Sequence, residues 1–346
     1  MKMTRYLIIP LLLFGSPENM SAQSKNPENA HNGSASSTKL YVITRSTEKF
    51  KIMGRDNPSV GLFTTSDRGT TWEHHGWHFT KCFSAVVSPK EKGRVIYLAC
   101  GNGVQKTEDY GKSWAIVTGW QMTECLKVAV DPVNTNIVYA ATAYGIFKSS
   151  DAGKTWHEKN QGFESTFTAS ILIDRTNPDH LFAATETGVY QSTNGAASWQ
   201  LSGSGKLGIR TIIQSMHDEK TLFIGTEDDG VFVSKDSGKS WSARSNGLES
   251  KTVYALAQDP KDRNVLYAGT FKGGVFKSTD EGRSWKKKNQ GLKRLDIHAL
   301  IVDPADSNVV YCGTMGGGAF MSVDAGASWK FIGLATSQVW DFAIQQ

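Results

Sequence analysis

Along most of the chain, short runs of alternating apolar and polar residues are separated by glycine-bearing turns, and few stretches carry a helical period. Asn264 to Thr270 (NVLYAGT) alternates, a turn follows, and Gly274 to Ser278 (GVFKS) reads as a second strand. Upstream lies a more uniformly apolar strand, such as TVYALAQDP at 252–260 or IHALIVDP at 297–304. After each trio comes an octapeptide of the form S/T-x-D-x-G-x-S/T-W, whose tryptophan opens a fourth strand. Its copies end at Trp72, Trp114, Trp156, Trp199, Trp241, Trp285 and Trp329, spaced 42, 42, 43, 42, 44 and 44 residues apart. Four strands in about 42 residues is the size of one propeller blade. The predicted fold is therefore all-β, a single seven-bladed β-propeller of four-stranded blades over residues 39–346. The innermost strand of each blade is expected to be the apolar one, because neighbouring blades cover both its faces.

The two ends of the repeat array complement each other. The first repeat begins at Lys39-Leu40-Tyr41-Val42 with a second-strand pattern and lacks a first strand. Val339 to Ile344 has the first-strand pattern with no blade after it. The C-terminal strand is therefore expected to complete blade one and close the ring, leaving no open edge between the first and last blades.

The octapeptide has a physical reading as a hairpin turn. Gly69, Gly111, Gly153, Gly238, Gly282 and Gly326 allow positive φ. Asp67, Asp109, Asp151, Asp236, Asp280 and Asp324 accept backbone N–H bonds across the turn, and the tryptophan plugs it from below. The fourth copy has Asn194 and Ala196 in the Asp and Gly places, with Gly195 between them. Gly195 is expected to take over the turn, and this box is expected to be the least regular.

Composition adds a compartment. Lys2 and Arg5 precede an apolar run from Tyr6 to Gly15, and Met20-Ser21-Ala22 is a plausible cleavage end, so residues 1–22 read as an export signal. The run is too short to span a bilayer. Residues 23–38 read as a disordered leader, and the mature protein is expected to be secreted or periplasmic, without a membrane span. The net charge of +5 reads as scattered Lys and Arg, which does not point to nucleic acid. The protein is expected to act as a monomer, with no cofactor or metal.

The repeated octapeptide resembles the Asp-box, or BNR, repeat of sialidases, of the xyloglucan-acting hydrolases of glycoside hydrolase family 74, of sortilin-type receptors and of photosystem assembly propellers. The resemblance covers about residues 39–346. It implies that the boxes lie on the outer hairpins, away from ligand, and that Asp67, Asp109, Asp151, Asn194, Asp236, Asp280 and Asp324 are structural. It also implies an alternative function, a glycoside hydrolase or lyase acting on a polysaccharide. Sialidase-type members use three arginines, a Tyr nucleophile and an F-R-I-P-like segment on six blades, and no such segment occurs here. The xyloglucan enzymes use two propellers, and their first catalytic Asp follows the second strand of the first blade, where this chain has Arg45 and Ser46.

The first reading is a non-catalytic binding or scaffold propeller that engages a protein or glycan at the mouth of its central channel, with no catalytic residues assigned. The turns between second and third strands and the connectors between blades share the mouth face, and the boxes lie on the other. The second residues of the innermost strands are Phe83, Leu126, Ala169, Arg210, Tyr254, His298 and Trp340. In a repeat protein, variation at one position marks where packing stops dictating. Arg210, Tyr254, His298, Trp340 and Asp341 form the candidate ligand-facing cluster. Trp77 and Trp120 occupy a connector slot held elsewhere by Phe163, Leu248, Leu292 and Leu334, and read as packing residues. His74, His75 and His78 lack metal-ligand spacing. The loop Ser46 to Ser59, with Lys49, Lys51 and Arg55, is long and cationic, suited to cover the mouth or touch an anionic partner, or equally a flexible decoration. Cys82 faces Cys100 within a residue of register and also matches Cys125 on the adjacent strand, so the pairing among Cys82, Cys100, Cys125 and Cys312 is left open.

Overall fold

The computed structural model describes residues 38–46, 60–77 and 81–345. The signal, nearly all of the leader, His78 and the cations Lys49, Lys51 and Arg55 lie outside the described residues. The described residues form seven four-stranded antiparallel sheets and no helix. Blade one is ordered Ser337–Gln345, Lys39–Ser46, Gly61–Thr65, Glu73–His75 from inside to outside, so the C-terminal strand closes the ring. Its register pairs Leu40 with Ile344 and Val42 with Phe342.

The core is divided among the interfaces between blades. Each of seven apolar clusters joins two neighbours, and one joins blades seven and one through Tyr311, Val339, Phe342 and Leu40. The most deeply covered strand is the second, contrary to expectation. In blades two to seven all five of its residues are buried, as in Leu266–Thr270. The innermost strand lines the channel, so part of one face stays accessible.

Six of the seven box tryptophans tie their blade to the preceding one. In blade six, the Ser284 N–H and Oγ donate to the two carboxylate oxygens of Asp280, and the Gly282 N–H donates to Ser278 Oγ. Hydrogen bonds from the last box serine hold the carboxyls of Asp109 and Asp324 down at about 2. Trp285 Nε1 then donates to the Arg244 carbonyl of the preceding blade at 2.7 Å. Trp72 does the same to Ile332, across the ring closure, at 2.8 Å.

The fourth box is as regular as the others. Gly195 and Ala196 have φ of 65° and 68°, where Glu281 and Gly282 have 56° and 82°. Every copy needs two consecutive left-handed residues, so exchanging which one is glycine leaves the turn unchanged, at the modest cost of a left-handed alanine. Asn194 keeps the Ser198 N–H bond at 3.0 Å and donates its own amide to Ser198 Oγ.

Six blades share a second device. Thr142, Thr185, Thr226, Thr270 and Thr314 end their second strands and Thr44 lies two residues before the end of its own; each donates a buried hydroxyl to a glycine carbonyl at or just before the start of the third strand. In blade two the corresponding residue is Cys100, and it forms a disulfide with Cys82 directly opposite. Cys125 and Cys312 are buried thiols. The covalent link thus stands where the others place a hydrogen bond. Replacing Cys82→Val with Cys100→Thr is expected to leave the protein about 1–2 kcal/mol more stable than the Cys82→Ala, Cys100→Ala pair, since the new hydroxyl meets the Gly103 carbonyl. Equilibrium urea unfolding of the two double variants measures this, and equal midpoints would refute the equivalence.

Candidate functional site

Every innermost strand carries a bulge at one place. In blade two, Cys82 pairs with Cys100 and Ser84 with Ala99, so Phe83 has no partner. The same slip leaves out Leu126, Ala169, Arg210, Tyr254 and His298 in blades three to seven. In blade one it leaves out Trp340, between Val339 and Asp341. These seven are the variable second positions. A bulge frees its extra residue from the ladder and re-aims the side chain, so the ring presents seven half-buried side chains to the channel.

They line a cavity of about 550 Å³ together with Lys127, Phe167, Thr211, Asp341 and the aliphatic residues below. All five candidate residues, Arg210, Tyr254, His298, Trp340 and Asp341, are in its wall. The bonds that hold together the connectors and the turns between second and third strands, such as Gly101 N–H to Lys81 O and Glu124 N–H to Gly101 O, surround this end of the channel. The box turns bond instead to the turns after the innermost strands at the other end, as Glu281 N–H does to Asn264 O.

Four of the seven bulged residues, Tyr254, His298, Trp340 and Phe83, form an aromatic arc in the wall, which Phe271 extends outside it. Phe271 meets Tyr254 edge-on at 6.3 Å, and Tyr254 stacks on His298 at 4.1 Å. His298 then meets Trp340 at 4.9 Å, and Trp340 meets Phe83 at 5.3 Å. The Arg45 guanidinium lies 4.8 Å from the ring centres of both Phe83 and Trp340. Such packing fixes ring orientation at little entropic cost. Burial pushes the His298 imidazole down to about 4; Asp296 opposes this, and Arg210 and Arg45 reinforce it. The ring is therefore neutral near pH 7. Burial also lowers Arg45 from the usual arginine range, against the pull of Glu124.

The charged side chains of the wall are all ion-paired. Lys127 Nζ donates to Asp341 Oδ2 at 2.8 Å, and Asp341 Oδ1 accepts the Phe342 N–H at 3.0 Å. Arg210 forms an ion pair with Glu227, in the turn that follows the second strand of blade five. Among the described residues lining the cavity, Asp341 is the one carboxylate.

Several participants were not singled out in advance. Phe83 stands at the same variable second position but is not in the candidate cluster. Arg45 reaches the arc from the neighbouring strand, and no periodic signal marks it. Lys127 sits one residue beyond the bulge, the same step as Asp341 on blade one. The slot reading fails for Trp120, which is 85% exposed. Its connector is one residue shorter between box tryptophan and glycine than those of blades four, six and seven. A turn closed by Met122 N–H to Gly119 O turns Met122 inward, 3% exposed, in its place. Trp77 is half-buried. His74 packs on Phe63 at 4.9 Å, and His75 bonds to Thr64 Oγ1 at 2.9 Å.

No protein-family model matches the chain, and no curated protein matches it by sequence. Solved structures do match in shape. An ancestral GH74 enzyme superposes with a TM-score of 0.61 at 21% identity, over 77% of this chain and 38% of its own. The GH74 enzyme of Niastella koreensis gives 0.67 at 17% identity, over 79% of this chain and 51% of its own. YCF48 bound to D1 peptide gives 0.55 at 15% identity, over 74% of this chain and 84% of its own. The chain spans about half or less of each GH74 enzyme. At these identities the likeness establishes the propeller fold alone.

Proposed function

We propose that this protein is an exported, non-catalytic binding propeller of the Asp-box type, whose ligand, a protein or a glycan, seats at the channel mouth against the aromatic arc. One observation carries the reading: the sevenfold bulge delivers Phe83, Arg210, Tyr254, His298 and Trp340 to a single cavity. A rigid rim with aromatic and arginine anchors is the composition of a binding hot spot. Among the described residues that line the cavity, Asp341, held by Lys127, has no second carboxylate beside it, and acid–base hydrolysis of a glycoside needs two. Export is supported by the apolar N-terminal run and by the Cys82–Cys100 disulfide, which suits an oxidising compartment. Of the three structural neighbours named above, YCF48 is bound to D1 peptide and two are GH74 enzymes, so the fold is found both in a peptide-bound protein and in enzymes.

Glycan-array and pull-down profiles of the wild type and two variants test the reading. Trp340→Ala with Arg210→Ala is expected to weaken binding of any captured ligand by about 30-fold or more. Asp341→Asn is expected to leave it nearly unchanged. Retention of ligand by the double variant would refute the site. Polysaccharide hydrolysis abolished by Asp341→Asn would replace the reading with an enzymatic one.

A further inference from the structure

The net charge of this protein is concentrated on one blade, not scattered. Residues 251–294, which make up blade six and the start of the next connector, hold eleven Lys and Arg against four Asp and Glu. That excess of +7 exceeds the +5 of the whole chain, so the remainder is slightly acidic. The four acids are already engaged. Asp259 caps the turn at Lys261 and accepts the Ser307 hydroxyl, Asp262 accepts from Asn264, and Asp280 serves its box. Glu281 is paired with Lys235 and Arg263. Lys287, in the outer strand Lys286–Lys287, is paired with Glu249.

Lys261 and Arg283 lie at the other end of the blade, in the turn after the innermost strand and in the box, and six of the remaining cations follow a path. On the outer strand Lys286 is paired in register with Lys277, whose Nζ reaches Ala325 O in blade seven, so Lys286 and the alternate residue Lys288 lie on the side of that blade. The connector then presents exposed Lys293 and Arg294. It is bonded to the neighbouring turn through Gly274 N–H to Leu295 O and Asn289 Nδ2 to Gly273 O. That turn carries Lys272, whose ammonium lies 4.7 Å from the Phe271 ring centre. Ser250 Oγ donates to Phe271 O, which brings in exposed Lys251. Phe271 and Leu295 are 40% and 37% exposed between these cations, and Phe271 abuts Tyr254 of the arc.

We infer that this path, from Lys286 and Lys288 across Lys293, Arg294 and Lys272 to Lys251, docks a linear anionic polysaccharide carrying carboxylate or sulfate groups. Flexible, separately mounted lysines suit a polymer whose charge recurs along its length, and exposed Phe271 and Leu295 suit the apolar C–H faces of its sugars. An extended peptide is less well served. The outer strand of blade six is only Lys286–Lys287, too short an edge for a peptide to add a strand. The inference is independent of the channel reading, because its cations lie outside the cavity wall.

Isothermal titration with polygalacturonate, neutral dextran and poly-glutamate is the test. The wild type is expected to bind polygalacturonate and not dextran, more weakly as salt screens the charges. Lys272→Gln with Lys293→Gln and Arg294→Gln is expected to lower that affinity by about tenfold or more. Lys112→Gln with Lys154→Gln and Lys239→Gln removes equal charge from exposed box turns at the other end of the channel. It is expected to cost less than about twofold. Trp340→Ala with Arg210→Ala is expected to keep polygalacturonate binding, whatever that variant does to a channel ligand. Failure of the wild type to bind, an equal loss in the box-turn control, loss in the channel variant, or tighter binding of poly-glutamate would each overturn the inference.

Discussion

A chain ended at Gly333 is expected not to fold, and a circular permutant that moves residues 334–346 ahead of residue 38 through a short linker is expected to fold normally. The strand Ser337–Gln345 supplies the whole inner ladder of blade one. Its Val339 and Phe342 sit in the cluster shared by blades seven and one, and Trp340 and Ala343 pack on the cluster shared by blades one and two. Removing it strips two of the seven interfaces and bares the edge of Lys39–Ser46. Burial of each large apolar side chain contributes about 1.5–3 kcal/mol, and the exposed partners lose as much again, which consumes the 5–15 kcal/mol that holds a typical domain together. The permutant retains every pair because Gln345 lies beside Lys39. Circular dichroism and size exclusion on both chains measure the outcome. A folded truncation, or an unfolded permutant, would show that closure is not the determining contact.

The second large effect is Trp285→Ala, expected to cost about 3–5 kcal/mol, against roughly half that for Trp114→Ala. The two residues share a sequence position and differ in surroundings. Trp285 is 4% exposed, belongs to the cluster between blades five and six, and bonds to the Arg244 carbonyl of the preceding blade. Trp114 is half-buried, and its Nε1 turns back to the Gly111 carbonyl of its own box at 3.0 Å. Truncating Trp285 opens a cavity and leaves a carbonyl unpaired between two blades. Truncating Trp114 loosens one turn. Thermal unfolding of the two variants separates these cases, and equal losses would mean that the interblade bond contributes nothing.

The blades were legible because each repeats the same burial problem seven times, and the closure because Val339 to Ile344 lacks a following blade. The candidate cluster was legible for a subtler reason: the bulge removes one residue per inner strand from packing, and sequence variation at that residue records the release. What escaped was set by geometry between elements. Arg45 acts across strands, and Trp120 and Met122 exchange roles when a connector loses one residue. The fourth box kept its shape because the αL pair tolerates glycine in either place. The charge of blade six escaped because its lysines are spread over strands and turns that only folding brings side by side.

The register of the closing pair also sets a direction. Ser46 and Ser337 meet at the mouth, whereas Lys39 and Gln345 meet at the opposite end, where Tyr41 Oη donates to Gln345 Oε1 at 3.0 Å. Any surface, fusion or tether joined through either end of the propeller therefore holds it by its base. The channel and the cationic rim beside it then point outward, free to sample whatever lies in front of them.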